Sequence, residues 1–140
     1  MSRIIVGVDG SEQSTEALRW ALAHAKSGDE IVATHAWQIP PVSGFEFPAY
    51  NLADVETHAG EMVDKVLASI GTDDHPGVTI SKVIRQGHSG QVLIDQSEGA
   101  DMIIVGSRGH GGFRGLLLGS VSTYVVHHAK TAVVVLPHRE

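Results

Sequence analysis

Cysteine is absent from the 140-residue sequence, which excludes disulfide bonds and metal sites built on thiolates. Such a chain suits a reducing compartment, and we expect a cytoplasmic protein. Long hydrophobic runs are also missing, since no segment approaches the roughly 18 apolar residues that a membrane-spanning helix needs. Residues 1–3 lead straight into a strand-like run, so we expect no signal peptide.

Basic residues are few. The chain has 10 Lys and Arg against 16 Asp and Glu, with a formal net charge of −6 and a pI near 5.8. The basic residues are scattered along the chain, so a nucleic acid is not an expected partner. Apolar residues make up 42% of the sequence, which is ordinary for a globular protein, and we expect one domain over residues 1–140.

Short segments rich in β-branched residues alternate with segments of helical periodicity. The predicted strands are Arg3 to Asp9, Glu30 to Trp37, Val78 to Ile84, Met102 to Ser107 and Ala132 to Pro137. The predicted helices begin at Ser11 or Ser14, Leu52, Ser89 and Ser120 and end near Gly28, Ile70, Glu98 and Ala129. This alternation predicts an α/β fold, an open five-stranded parallel sheet with helices on both faces.

Three segments are less regular. Val78 to Ile84 alternates between apolar and polar residues, as an edge strand does. The last predicted helix contains several β-branched residues that intrinsically prefer strands, but a crossover is needed before the final strand. The segment from Gln38 to Asn51 holds three of the five prolines, and it is either a lid or a surface loop that packs its own aromatics.

The segment Val105 to Ser122, VGSRGHGGFRGLLLGSVS, is rich in glycine and lies between a predicted strand and a predicted helix. Glycines let backbone N–H groups turn toward an anion, and the N-terminus of the following helix adds unpaired N–H groups. Arg108 and Arg114 add positive charge. These features favour a phosphate site at the carboxyl edge of the sheet, although an exposed loop that glycine merely relaxes remains an alternative.

Two common nucleotide motifs do not fit this segment. A P-loop requires Lys before the Ser or Thr, and Leu118-Gly119-Ser120 has none. The dinucleotide fingerprint GxGxxG should follow the first strand, where the chain instead has Gly7-Val8-Asp9-Gly10-Ser11.

The spacing Gly106-x2-Gly109-x9-Gly119-Ser120 resembles the G-x2-G-x9-G-[ST] signature of the ATP-binding branch of the universal stress protein family. The similarity covers the whole chain, from IIVGVDGS near the start through THAW to VVVLP at the end. It implies a Rossmann-like sheet in the order 3-2-1-4-5 and a stress-response protein that binds ATP or another adenine nucleotide. It also implies a homodimer formed through the last strand, whose sequence AVVVL has no charge to deter pairing.

The resemblance also implies the residues of the site. The adenine and ribose would lie against Val8, Asp9, Gly10 and Ala36. The ribose and phosphates would be bound by Gly106, Gly109, Gly119, Ser120 and Val121. Ser107 and Arg108 would flank them, and Ser122 could reach a phosphate oxygen. One departure is Thr131-Ala132 before the last strand, where relatives commonly have proline.

Asp9 is the candidate for further chemistry. Its carboxylate could accept from the adenine or ribose or hold a nucleotide-bound Mg²⁺, and the alternative is a turn or helix-capping role. The 9 histidines show no HExxH spacing, although His35, His88 and His110 could meet near the carboxyl edge. Trp20 is expected to pack against its helix, and Trp37 to pack or to border the adenine.

Rapid hydrolysis of ATP is not expected. It would need a residue that positions water and further stabilisation of the γ-phosphate, and no acidic metal site like that of P-loop NTPases is visible. We therefore expect signalling by nucleotide occupancy with at most weak hydrolysis. The main alternative is a true ATP-hydrolysing or nucleotide-dependent transferase enzyme. A phospho-acceptor receiver domain or a flavin module would share the architecture, but neither motif pattern fits.

Overall fold

The computed structural model describes residues 1–39, 51–108 and 118–137. Its strands are β1 (Arg3–Gly7), β2 (Glu30–Trp37), β3 (Thr79–Gln86), β4 (Met102–Gly106) and β5 (Ala132–Leu136). Its helices are α1 (Glu12–His24), α2 (Leu52–Ser69), α3 (Ser89–Gln96) and α4 (Ser120–His128), with a short 3-10 turn at Thr72–Asp74. Strands and helices alternate along the chain, as the sequence predicts.

The five strands form one parallel sheet in the order β3-β2-β1-β4-β5, which confirms the predicted fold class. The register places Ile5 of β1 beside Val32 of β2 and Ile103 of β4. All three side chains are buried, since the central strands are covered on both faces.

The helices divide between the two faces of the sheet. One apolar layer contains Leu18 and Leu22 of α1 and Val63 of α2, which pack against alternate residues of β1 and β2. The other contains Leu93 of α3 and Val125 of α4, packed against the intervening strand residues. The crossover after β1 therefore covers one face and the crossover after β4 covers the other. A crevice results between the carboxyl ends of β1 and β4.

α4 forms despite its β-branched sequence. Val125 is fully buried on the sheet, and the backbone N–H of Ala129 donates to the carbonyl of Val125 to end the helix. Burial on the sheet thus overrides the weak intrinsic preference of these residues for strands. His127 and His128 lie in its last turn, and Nδ1 of His128 lies 2.8 Å from the Tyr124 carbonyl.

The two edge strands are β3 and β5. β3 is partly exposed along its length, in agreement with its alternating sequence. β5 has Ala132 exposed and its other residues half-buried. Its outer edge carries no strand in the described chain, and pairing with a second copy there stays a prediction.

Most of the proline-rich segment, residues 40–50, lies outside the described residues. At its end Asn51 caps α2, where its side chain accepts from the backbone N–H groups of Ala53 and Asp54. In the described part of the chain no helix is both long and apolar enough to cross a membrane.

The amino edge of the sheet is held by carboxylates that accept backbone hydrogen bonds. Asp29 accepts from the N–H of Lys26 at 2.8 Å and from that of Ser2 at 2.9 Å. These two hydrogen bonds, that from Lys26 first, lower the pKa of Asp29, because they favour the ionised carboxylate. Asp101 accepts in the same way from Arg3 at 2.8 Å.

Two helical glycines give a matched test of the packing. A Cβ on Gly90 in α3 would lie 2.5 Å from the ring of Tyr124 in α4, whereas a Cβ on Gly60 in α2 would meet only the Lys82 amine, at 3.5 Å. Gly90→Ala should therefore lower the free energy of unfolding by about 1–3 kcal/mol through overpacking. Gly60→Ala should raise it by about 0.5–1 kcal/mol, because alanine favours the helix. Denaturant unfolding of both variants measures the difference, and destabilisation by Gly60→Ala as large as that by Gly90→Ala would contradict the α3–α4 packing.

Candidate functional site

A cavity of about 140 Å³ opens in the crevice between the carboxyl ends of β1 and β4. The strand ends β1, β2 and β4 form its floor, and the first residues of α3 and α4 form its walls. The lining residues are Gly7, Val8, Asp9, Ser14, Thr34, Ala36, Ser89, Leu93, Val105, Gly106, Arg108, Gly119, Ser120, Val121 and Ser122.

Most of the residues that the sequence nominated for a nucleotide site line this cavity. They are Val8, Asp9, Ala36, Gly106, Arg108, Gly119, Ser120, Val121 and Ser122. Gly10 and Ser107 are near it in sequence but not part of the lining, and Gly109 lies outside the described residues. The structure therefore brings the start and the end of the glycine-rich segment to one place.

The N-terminus of α4 at the cavity wall has no side-chain cap. Its N-cap residue is Gly119, whereas the N-caps of the other described α-helices, Ser11, Asn51 and His88, each accept a backbone N–H with a side-chain atom. The first intrahelical bond of α4 runs from Thr123 N–H to the Gly119 carbonyl at 2.9 Å. The backbone N–H groups of residues 120–122 thus precede the helical hydrogen-bond ladder and are suited to an anion.

Arg108 brings a positive charge to the same wall. Its Nε is buried and has no hydrogen-bond partner among the described residues. A buried N–H group normally finds an acceptor. Arg108 and the start of α4 therefore give the cavity wall the character of an anion site.

Asp9 has a structural role and also lines the cavity. Its Oδ1 accepts from Ser11 N–H at 2.9 Å, and its own N–H donates to Ser14 Oγ at 3.2 Å. These contacts fix the turn between β1 and α1, as the capping alternative predicted. They also hold the carboxylate at the end of β1.

Ser107 and Ser122 use their polar groups within the protein. Ser107 N–H donates to the Leu136 carbonyl at 2.8 Å, and the Ser107 carbonyl accepts from Ser122 Oγ at 2.9 Å and from Gly119 N–H. Ser122 Oγ also lies 3.2 Å from the Gly119 carbonyl. These contacts join the two ends of the glycine-rich segment and engage the hydroxyl of Ser122 within the protein.

The side chain of Gln13 in α1 contacts this junction, and the sequence did not indicate it. Gln13 Nε2 donates to Ser107 Oγ at 3.1 Å and to the Leu136 carbonyl at 3.3 Å, and Gln13 Oε1 accepts from Arg108 N–H at 3.0 Å. A Cβ on Gly106 would lie 2.6 Å from Gln13 Cγ. The first glycine of the signature therefore makes room for a side chain of this protein, besides lining the cavity.

The sequence also missed several lining residues. Thr34, Ser89, Leu93 and Val105 follow ordinary strand and helix patterns, so composition gives no signal for them. His35 is turned toward the neighbouring strand, where its Nδ1 lies 2.7 Å from the Val8 carbonyl.

No cluster of potential metal ligands occurs among the residues whose positions the structure gives. His110, one of the three histidines considered, lies outside them. Trp20 stacks on His24 with ring centroids 3.9 Å apart, in accord with a packing role. Trp37 is nearly buried but is not among the lining residues of the cavity.

Comparison with solved structures supports the fold. The chain superposes on universal stress protein UspA from Lactobacillus plantarum with a TM-score of 0.74 and 24% identity, over 96% of this chain and 97% of that one. A universal stress protein solved in complex with cAMP matches with a TM-score of 0.71 and 25% identity, over 99% and 98%. An Arabidopsis thaliana family protein with AMP bound matches with a TM-score of 0.63 and 22% identity, over 97% and 91%.

Comparison with other sequences identifies the family. Universal stress protein Rv2623 of Mycobacterium tuberculosis is 35% identical over 133 residues, covering 94% of this chain and 44% of the relative. A universal stress protein of Mycolicibacterium smegmatis is 36% identical over 139 residues, covering 95% and 47%. This chain thus spans less than half the length of these relatives. The model of the universal stress protein family matches residues 1–137, and the chain belongs to that family.

Proposed function

We propose that this chain binds an adenine nucleotide, with ATP as the preferred form, in the cavity between β1 and β4. The observation that carries the proposal is the uncapped N-terminus of α4, which meets the cavity beside Arg108. Helix N-termini bind phosphate through unpaired N–H groups and the helix dipole. The family member solved with cAMP, at 25% identity, supports a nucleotide as the ligand.

The two ends of the cavity suit the two ends of a nucleotide. The β1 and β2 end, where the apolar side chains of Val8 and Ala36 line the cavity, would take the adenine base. The α4 end would take the phosphates through the N–H groups of residues 120–122 and the charge of Arg108. Gly109, which the resemblance nominates, would complete the phosphate contacts.

Mg²⁺ would accompany a triphosphate. Asp9 is the carboxylate of the described lining, so it is the residue proposed to reach a nucleotide-bound Mg²⁺. A hard cation of this kind keeps several waters and takes one or two protein carboxylates, so a single aspartate in the same cavity is enough.

The amide contacts can be tested by a proline at the first position of α4. Ser120→Pro removes one N–H, and proline is tolerated there because Gly119 already has an extended backbone, with φ −77° and ψ 179°. ATP affinity should fall about tenfold or more, since one hydrogen bond to a charged group is lost. Adenosine, which lacks phosphate, should bind as before.

Ser120→Ala is the matched control, because it removes the hydroxyl and keeps the N–H. Isothermal titration calorimetry with both ligands measures the affinities, and circular dichroism checks the fold. Unchanged ATP affinity in Ser120→Pro, or an equal loss for adenosine, would argue against the phosphate contacts.

We further propose that nucleotide occupancy, rather than hydrolysis, is the output of the site. In the described lining, Asp9 is the carboxylate, and it already holds the turn before α1 through Ser11. Such a site can bind a triphosphate, and its described lining holds no second carboxylate that could position water. The bound and free forms would then differ in which partner they engage.

Steady-state turnover of ATP by the purified protein should therefore be well below about 1 per second, the low end of ordinary enzymes. Release of inorganic phosphate with saturating ATP and Mg²⁺ measures it, with Asp9→Asn as the background control. Turnover above that rate, lost in Asp9→Asn, would favour the alternative of a nucleotide-hydrolysing enzyme.

A further inference from the structure

We propose that Gln13 is a positioning residue for the phosphate end of the site. Its side-chain amide would hold the backbone of Arg108 so that the arginine is set for phosphate before the nucleotide arrives. This inference rests on the proposed function and adds a residue outside the cavity lining to it.

The first argument is the hydrogen bonding of the Gln13 amide. Oε1 accepts from Arg108 N–H at 3.0 Å, and Nε2 donates to Ser107 Oγ at 3.1 Å and to the Leu136 carbonyl at 3.3 Å. Both N–H donors and one acceptor site of a single amide are thus used. The side chain joins α1 to the end of β4 and the end of β5, three segments that are distant in sequence.

The second argument is the space reserved for this side chain. A Cβ on Gly106 would lie 2.6 Å from Gln13 Cγ and 3.3 Å from Gln13 Cβ, so glycine is required for Gln13 to pass beside β4. Gln13 is half-buried. Its hydrogen bonds are therefore partly shielded from competing water and can fix a backbone position.

The third argument is that the residues bonded by Gln13 lie at the phosphate end of the cavity. Arg108 lines the cavity and its buried Nε has no hydrogen-bond partner in the described part of the chain. The backbone of Ser107 is also hydrogen-bonded, through its N–H to the Leu136 carbonyl and through its carbonyl to Ser122 Oγ of α4. With Gln13 in place, the backbone that carries Arg108 is fixed before the nucleotide binds. Phosphate binding by Arg108 then costs less conformational entropy.

Two variants remove the contacts in different ways. Gln13→Ala deletes the amide. The double variant Glu12→Gln/Gln13→Glu exchanges two neighbouring residues. The net charge of the protein stays the same, and so does the shape of the side chain at position 13. A carboxylate there can still accept from Arg108 N–H, but it faces the Leu136 carbonyl without a proton to donate. Glu12→Gln alone is the control, because Glu12 is exposed.

We expect Gln13→Ala to weaken ATP binding about tenfold and the exchange variant to weaken it by a smaller factor. Adenosine affinity should stay unchanged in both, which a general loss of structure would not allow. Calorimetric titration measures the affinities, and thermal unfolding shows that each variant is folded at the titration temperature.

A double-mutant cycle with Arg108→Met separates positioning from direct binding. If Gln13 acts through Arg108, then adding Gln13→Ala to Arg108→Met should cause no further loss of ATP affinity. Additive losses in the cycle, unchanged ATP affinity in Gln13→Ala, or an equal loss for adenosine would each overturn the inference.

If the unaltered protein does not bind ATP, the proposed function itself fails. If it binds ATP and only Ser120→Pro weakens binding, the inference about Gln13 alone fails.

Discussion

The opposite directions of the crossovers after β1 and β4 determine where this molecule can hold a ligand. α1 covers one face of the sheet and α4 the other, so none of the described helices closes the space above the carboxyl ends of these neighbouring strands. Every parallel sheet of this type has such a crevice. What distinguishes this one is the chemistry of its rim, where glycine, serine and arginine stand at the ends of two strands and two helices.

At that rim the protein leaves one helix end without the cap that the others have. Relative to Gly119, a serine or asparagine N-cap would stabilise α4 by only about a few tenths of a kcal/mol, and its side chain would occupy one of the first N–H groups. Gly119 instead anchors its own N–H to the Ser107 carbonyl, and Ser122 Oγ bonds the same carbonyl. These two hydrogen bonds fix the start of α4, whose first residues line the cavity. We interpret the missing side-chain cap as a small loss of helix stability that leaves the first N–H groups of α4 available to a ligand.

The sequence predicted the architecture well because periodicity and glycine placement are local signals. The five strands, the four helices and the edge position of β3 all follow from residue patterns, and even the β-branched α4 was predicted from the need for a crossover. The order of the strands came from the family resemblance, since no local pattern tells β4 to lie beside β1. This strand order is also what brings the nominated residues at the ends of β1, β2 and β4 together at one cavity.

The direction of individual side chains was not predictable. Ser107 was nominated beside the phosphates, yet its polar groups contact Gln13, Leu136 and Ser122. Gln13 looked like an ordinary residue in the first turn of a helix, and only the packing of α1 against the end of β4 brings it to Arg108. The roles of Gly106 and Gln13 therefore depend on each other through a contact between residues far apart in the chain.

The account depends most on phosphate binding by the first N–H groups of α4. A ¹H–¹⁵N NMR titration of the labelled protein tests this directly. With ATP, the resonances of Ser120, Val121 and Ser122 should shift to saturation, and with adenosine they should stay close to their ligand-free positions. If ATP saturates the protein while these three resonances stay in place and the shifts cluster elsewhere, for instance around Asp29 at the amino edge, the phosphate site proposed here is wrong.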